Sequence, residues 1–81
     1  MWIESQNENR LINQDCIVFI DCYRELKSGK SAIWIEDTNK NGYTAANFEN
    51  FSTAQKAFDA LKNALKDPNC RYFKIPADDN D

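Results

Sequence analysis

Asp37-Thr38-Asn39-Lys40-Asn41-Gly42 carries the residue types of the first half of a calcium loop. In such a loop alternate oxygens point at the ion and a glycine permits the sharp turn. The twelfth position should be a bidentate glutamate, but Phe48 stands there and Glu49 comes one place late. Lys40 adds a cation beside the would-be ligands, so the stretch is expected to be a polar hairpin loop. Gly29-Lys30-Ser31 has the ending of a phosphate-binding loop. Arg24 occupies the place of that motif's first glycine, and the residues that follow read as a strand where the motif needs a helix. A plain turn is expected. The chain has three cysteines, Cys16, Cys22 and Cys70, and an odd number argues against a disulfide framework. Cys16 and Cys22 fall in one expected strand, roughly 20 Å apart at about 3.3 Å per residue, whereas a disulfide needs Cα atoms within about 7 Å. They are expected to act as small buried hydrophobes.

Histidine is absent. Its absence removes the usual general base, the usual activator of a serine or cysteine, and the commonest metal ligand. Glu36 and Asp37 are adjacent in an expected strand, so their side chains leave on opposite faces and do not form an acid–base pair. These residues point to a non-catalytic protein with no cofactor and no metal.

The aromatic residues are the stronger lead. Tyr23, Trp34, Tyr43 and Tyr72, with Trp2, are many large side chains for so small a chain. Tyrosine and tryptophan combine apolar area with a polar handle and dominate binding hot spots. Tyr23, Trp34, Tyr43 and Tyr72 are therefore the candidate partner-binding residues. The competing reading makes the same side chains a second small core, and a homodimer or higher oligomer would satisfy both. A further alternative is a small-ligand protein that sequesters a nucleotide signal. It would stack a base on Trp34 or Tyr23 and hold phosphate with Arg24, Lys27 or Lys30.

The elements that must position these residues centre on one helix, expected over residues 52–66. Ala54, Ala57, Phe58, Leu61, Ala64 and Leu65 recur at the spacing of one buried face. Ser52 with Gln55 fits a capping box, and Asp67-Pro68 should stop the helix. Residues 16–24 give the strongest strand, with Cys16, Val18, Ile20 and Cys22 expected to face the helix and Ile17, Phe19, Asp21 and Tyr23 to face away. Residues 31–37 place Ile33 and Ile35 on one face and Ala32, Trp34 and Glu36 on the other. Asn41-Gly42 is a favoured hairpin pair because both residues tolerate positive φ. Residues 43–48 form a weaker strand. Short strands are expected at Trp2-Ile3, at Leu11-Ile12 and over residues 71–75, the last as an edge strand with Phe73 and Ile75 inward. The expected fold is α+β, a small mostly antiparallel sheet with one amphipathic helix packed on it. It forms a single domain over residues 1–76, followed by an acidic, solvated and disordered tail over 77–81.

With 81 residues there is room for one core, and dimerisation would help to stabilise it. A net charge of −3 without a basic stripe argues against nucleic-acid binding. No run approaches the 18 or so apolar residues of a membrane span, and polar residues 4–10 fall where a signal peptide is apolar, so a cytoplasmic protein is expected.

The opening Met1-Trp2-Ile3-Glu4-Ser5-Gln6, followed by Leu11-Ile12-Asn13, resembles a family of small proteins of Gram-positive bacteria and their phages. The likeness continues through Phe51, Ser52-Thr53, the alanine–leucine periodicity of residues 57–65, and Phe73-Lys74-Ile75-Pro76. No catalytic or ligand residue carries over from it. The resemblance implies an accessory protein of a phage or other mobile element, engaging or inhibiting a host protein, for instance one of host defence.

Overall fold

A computed structural model describes residues 1–78. In order along the chain are β1 (Trp2–Glu4), β2 (Leu11–Asn13), a 3₁₀ turn (Gln14–Cys16), β3 (Ile17–Arg24), β4 (Ser31–Asp37), β5 (Gly42–Phe48), α1 (Phe51–Lys66) and β6 (Tyr72–Lys74). The fold is α+β, as the sequence implies. The strands divide into two three-stranded sheets, ordered β2-β1-β6 and β3-β4-β5. All pairings are antiparallel except that of β1 with β6, which joins the two ends of the described chain in parallel.

One core serves both sheets. Ile3 and Ile12 from the first sheet meet Ile33, Ile35, Ala46 and Phe48 from the second, with Ala54, Ala57 and Leu61 of the helix and Ile75 after β6. Phe58 and Leu65 complete the helix stripe but remain half-buried. The inward placement of Phe73 and Ile75 follows the expected alternation, and β6 is an edge strand.

Two bulges alter the expected strand faces. In β3 the register steps from Ile17↔Asp37 to Phe19↔Glu36, which leaves Val18 as the extra residue. The bulge reverses the alternation before Phe19. Ile17 therefore joins Ile20 and Cys22 against the core, while Val18 is 59% exposed and Cys16 lies exposed in the preceding turn. The expected helix-facing row thus holds for Ile20 and Cys22 and fails for Cys16 and Val18. In β5 the register steps from Ile33↔Ala46 to Trp34↔Thr44, leaving Ala45 as the extra residue. That bulge buries Ala45 and Ala46 consecutively and explains the weak pattern of this strand.

Local chemistry also differs at two turns. In the β4–β5 hairpin the positive φ falls on Lys40 (67°), whereas Gly42 opens β5. Asp37 Oδ1 organises this loop by accepting from the Asn39 and Asn41 amides at 2.9 and 3.0 Å. At the helix start, the cap is Asn50 in place of the expected Ser52. Its Oδ1 accepts from the Thr53 amide at 3.0 Å, and the Ser52 and Thr53 hydroxyls donate to the same oxygen. The helix ends at Asp67, as the following proline requires. Of the expected solvated tail, Asp78 is half-buried and its Oδ2 accepts from the Glu49 amide at 2.9 Å. Residues 79–81 lie outside the described residues.

The capping arrangement gives a direct comparison. Asn50→Ala removes the acceptor of a first-turn amide and should lower stability by about 1 kcal/mol, whereas Ser52→Ala should change it by no more than about 0.5 kcal/mol. Urea unfolding of the two variants measures both. Equal losses would show that Ser52 shares the cap.

Candidate protein-binding surface

The pairing of β3, β4 and β5 fixes which side chains leave the sheet away from the core. Asp21 lies opposite Trp34, Tyr23 opposite Ala32, and Phe19 opposite Glu36, so these six residues occupy the outer face of the sheet, together with Thr44 opposite Trp34. Phe19 and Tyr23 are 44% and 39% exposed, and Trp34 is half-buried. Tyr23 and Trp34 are diagonal neighbours across the β3–β4 pair, a separation that large aromatic side chains can span. The face is a row of three aromatics around the carboxylate of Asp21.

Gly42 explains how Trp34 is seated. A Cβ at residue 42 would lie 2.1 Å from Trp34 Cζ2, so the indole covers the glycine backbone and only a residue without a side chain leaves it that space. The calcium-like stretch therefore keeps its glycine to accommodate a tryptophan.

The structure does not bring the four expected partner-binding residues onto one surface. Tyr23 and Trp34 share the outer face. Tyr43 lies opposite Ile35 and turns toward the core, where the Arg10 guanidinium stacks over its ring at 4.1 Å. Tyr72 lies in the other sheet, opposite Trp2, and its hydroxyl donates to Glu4 Oε1. Trp2, Leu11 and Tyr72, 45%, 54% and 53% exposed, form a separate apolar patch there. Phe19 belongs to the candidate face, and strict alternation from Asp21 and Tyr23 was signal enough to find it.

The candidate phosphate-holding residues all belong to the β3–β4 hairpin end. Arg24 closes β3 opposite Ser31, Lys27 is exposed in the turn, and Lys30 Nζ is 3.8 Å from Glu49 Oε1. None of the three lines the groove of about 360 Å³ between β3 and α1. That groove is formed by Gln14, residues 17–20, Phe58, Lys62 and Leu65. Its one charge, Lys62, is held 3.0 Å from Asp59 Oδ1 and lies 5.0 Å above the Phe58 ring.

The thiols are free. Burial pushes the Cys22 thiol above its ordinary range, with the Asp21 and Asp59 carboxylates adding to the shift and Lys62 opposing it, which keeps Cys22 in the less nucleophilic thiol form. At the surface of the other sheet, Lys74 Nζ lies 2.6 Å from Glu8 Oε1. The hydrogen bond lowers the Glu8 carboxyl and raises the Lys74 ammonium.

The chain matches no protein-family profile, no curated protein and no solved structure. Among the described residues, no helix is long and apolar enough to cross a membrane.

The seating of Trp34 is testable by crowding it. Gly42→Ala, made in a Trp2→Phe background so that Trp34 is the sole tryptophan, should cost about 1–3 kcal/mol. It should also shift the fluorescence emission toward that of a solvated indole. Unchanged stability and emission would show that the ring does not rest on this glycine.

Proposed function

We propose that this chain is a non-catalytic binding protein that engages another protein through the outer face of sheet β3-β4-β5. The observation that carries the reading is the row of exposed Phe19 and Tyr23 with half-buried Trp34 around Asp21 on one side of the sheet. Aromatic side chains on a rigid strand lose little conformational freedom on binding and supply large contact area. Asp21 gives a directional polar contact at the centre of the row. The residue inventory supports the same reading, because a chain without histidine lacks the commonest acid–base and metal-binding groups. In an accessory protein of a phage or mobile element, such a face would act by occupying a host protein. The nucleotide-sequestering alternative has less support, since Tyr23 leaves the outer face while Arg24, next in the strand, leaves the other, and Lys30 is drawn toward Glu49.

Native mass spectrometry of untagged protein purified gently from its host tests this. The expected result is a stoichiometric complex with a host protein. Tyr23→Arg should abolish that complex while leaving circular dichroism and thermal midpoint unchanged, because Tyr23 is exposed. The Tyr23→Ala/Trp34→Ala double variant should do the same wherever it remains folded. A folded Tyr23→Arg protein that keeps its partner would overturn the proposal, as would a bound mass of a few hundred daltons in place of a protein.

A further inference from the structure

The outer face of sheet β3-β4-β5 contains a two-by-two block in which acidic and aromatic side chains alternate. Phe19 stands opposite Glu36, and Asp21 stands opposite Trp34. The two carboxylates therefore occupy one diagonal of the block and the two rings occupy the other. Diagonal neighbours of this kind lie about 7–8 Å apart, close enough for long side chains to share whatever is held between them. On the other side of β4, Glu36 faces Gly42, and Trp34 leans over that glycine, away from β3. The indole thus borders the centre of the block without filling it. Phe19 and Asp21 are exposed, and Glu36 is half-buried.

Charge says what fits there. Of the described positions that strand pairing places on this face, Asp21 and Glu36 alone are charged, and both are acidic. Neither makes an ion pair or a side-chain hydrogen bond among the described residues. The lysines that do pair reach Glu49, Asp59 and Glu8, and the Arg10 guanidinium lies over Tyr43 on the core side of the sheet. The folded chain therefore leaves two like charges to repel each other across the block. A cation from outside would relieve that repulsion and meet the electron-rich faces of aromatic rings.

We propose that this block receives an arginine side chain of the partner protein, with the guanidinium between Asp21 and Glu36 and against the rings of Phe19 and Trp34. The inference rests on the reading of the outer face as a protein-binding surface and names what the partner brings to it. Arginine fits better than lysine. Its planar fork of donors spans two carboxylates, its face stacks on aromatic rings, and it gives up water more readily than a compact ammonium. Tyr23 then flanks the seated cation and contacts the surface that carries it, which is basic in character because it meets an acidic face.

Proton–nitrogen correlation spectra of the ¹⁵N-labelled chain, titrated with acetyl-Arg-Arg-amide, test the site. The peptide should shift the amides of residues 19, 21, 34 and 36 and the Trp34 indole N–H, with a Kd on the order of millimolar. Acetyl-Glu-Glu-amide should shift none of them, and acetyl-Lys-Lys-amide should bind more weakly than the arginine peptide. Glu36→Gln and Asp21→Asn should each weaken arginine binding about fivefold and leave the thermal midpoint unchanged or raised, since each removes a repulsion. Absence of these shifts at about 20 mM peptide overturns the proposal, as does binding that is indifferent to both neutralisations. Shifts centred on other carboxylates of the chain overturn it too. A host complex that is lost on Tyr23→Arg but kept by Glu36→Gln overturns the arginine site and leaves the binding face standing. Arginine binding at the block with no host complex keeps the site and overturns the protein-binding reading instead.

Discussion

Gln6 makes three hydrogen bonds, two to β5 and one to the segment after β6, and the two sheets depend on them for their alignment. Its backbone amide donates to Ala45 O at 2.9 Å, its Oε1 accepts from the Asn47 amide at 2.9 Å, and its Nε2 donates to Pro76 O at 3.2 Å. A side-chain amide has a carbonyl and an NH₂ group, so it can imitate one peptide unit and continue a ladder where the main chain turns away. Here it satisfies backbone groups on the edge of β5 and beyond β6 that a neighbouring strand would otherwise have to meet. The loop carrying Gln6 is itself fixed by Ser5, whose buried hydroxyl donates to Asn7 Oδ1 at 2.7 Å and accepts from the Arg10 amide at 3.1 Å. A polar turn next to a three-residue strand thus becomes the joint between the two halves of the core.

That joint accounts for the distribution of exposed apolar surface. Covering β5 and pairing the short strands with one another leaves the β3 side as the long margin of the fold. The bulge at Val18 turns apolar residues toward that margin, and β4 presents Trp34 beside it. Binding capacity and vulnerability to strand addition therefore sit on the same part of the molecule. A bulge also increases local twist, which restricts the strands that can pair there.

Much of the fold was legible because periodicity is a statement about burial. The helix was visible from Ala57, Leu61 and Leu65, and the inward row of β4 from Ile33 and Ile35, since each keeps one phase from end to end. The faces of β3 and β5 were only partly legible. A single extra residue at Val18 or Ala45 shifts the phase without altering composition, and alanine and valine suit either side of a bulge. Tyr43 shows the result, for it belongs to the core side while its neighbours in type, Tyr23 and Trp34, do not. The helix cap was ambiguous because Asn50 and Ser52 are both good caps. The parallel pairing of β1 with β6 left no local trace, since pairing partners seventy residues apart share no turn signal.

That terminal pairing sets the timing of folding. Strand β1 is made before the other strands of this fold, yet its parallel neighbour β6 follows the entire helix. During synthesis, β1 and β2 can form a hairpin at once and Gln6 can tie it to the edge of β5, but the other edge of β1 stays open until Ile75 is available to donate its amide to Glu4 O. Contacts that span so much chain carry a large loop-closure cost and form late. Until then the edge of β1 that β6 covers stays unpaired. The order of synthesis thus builds in an interval during which this edge is open to other chains, and slower docking of β6 would lengthen it.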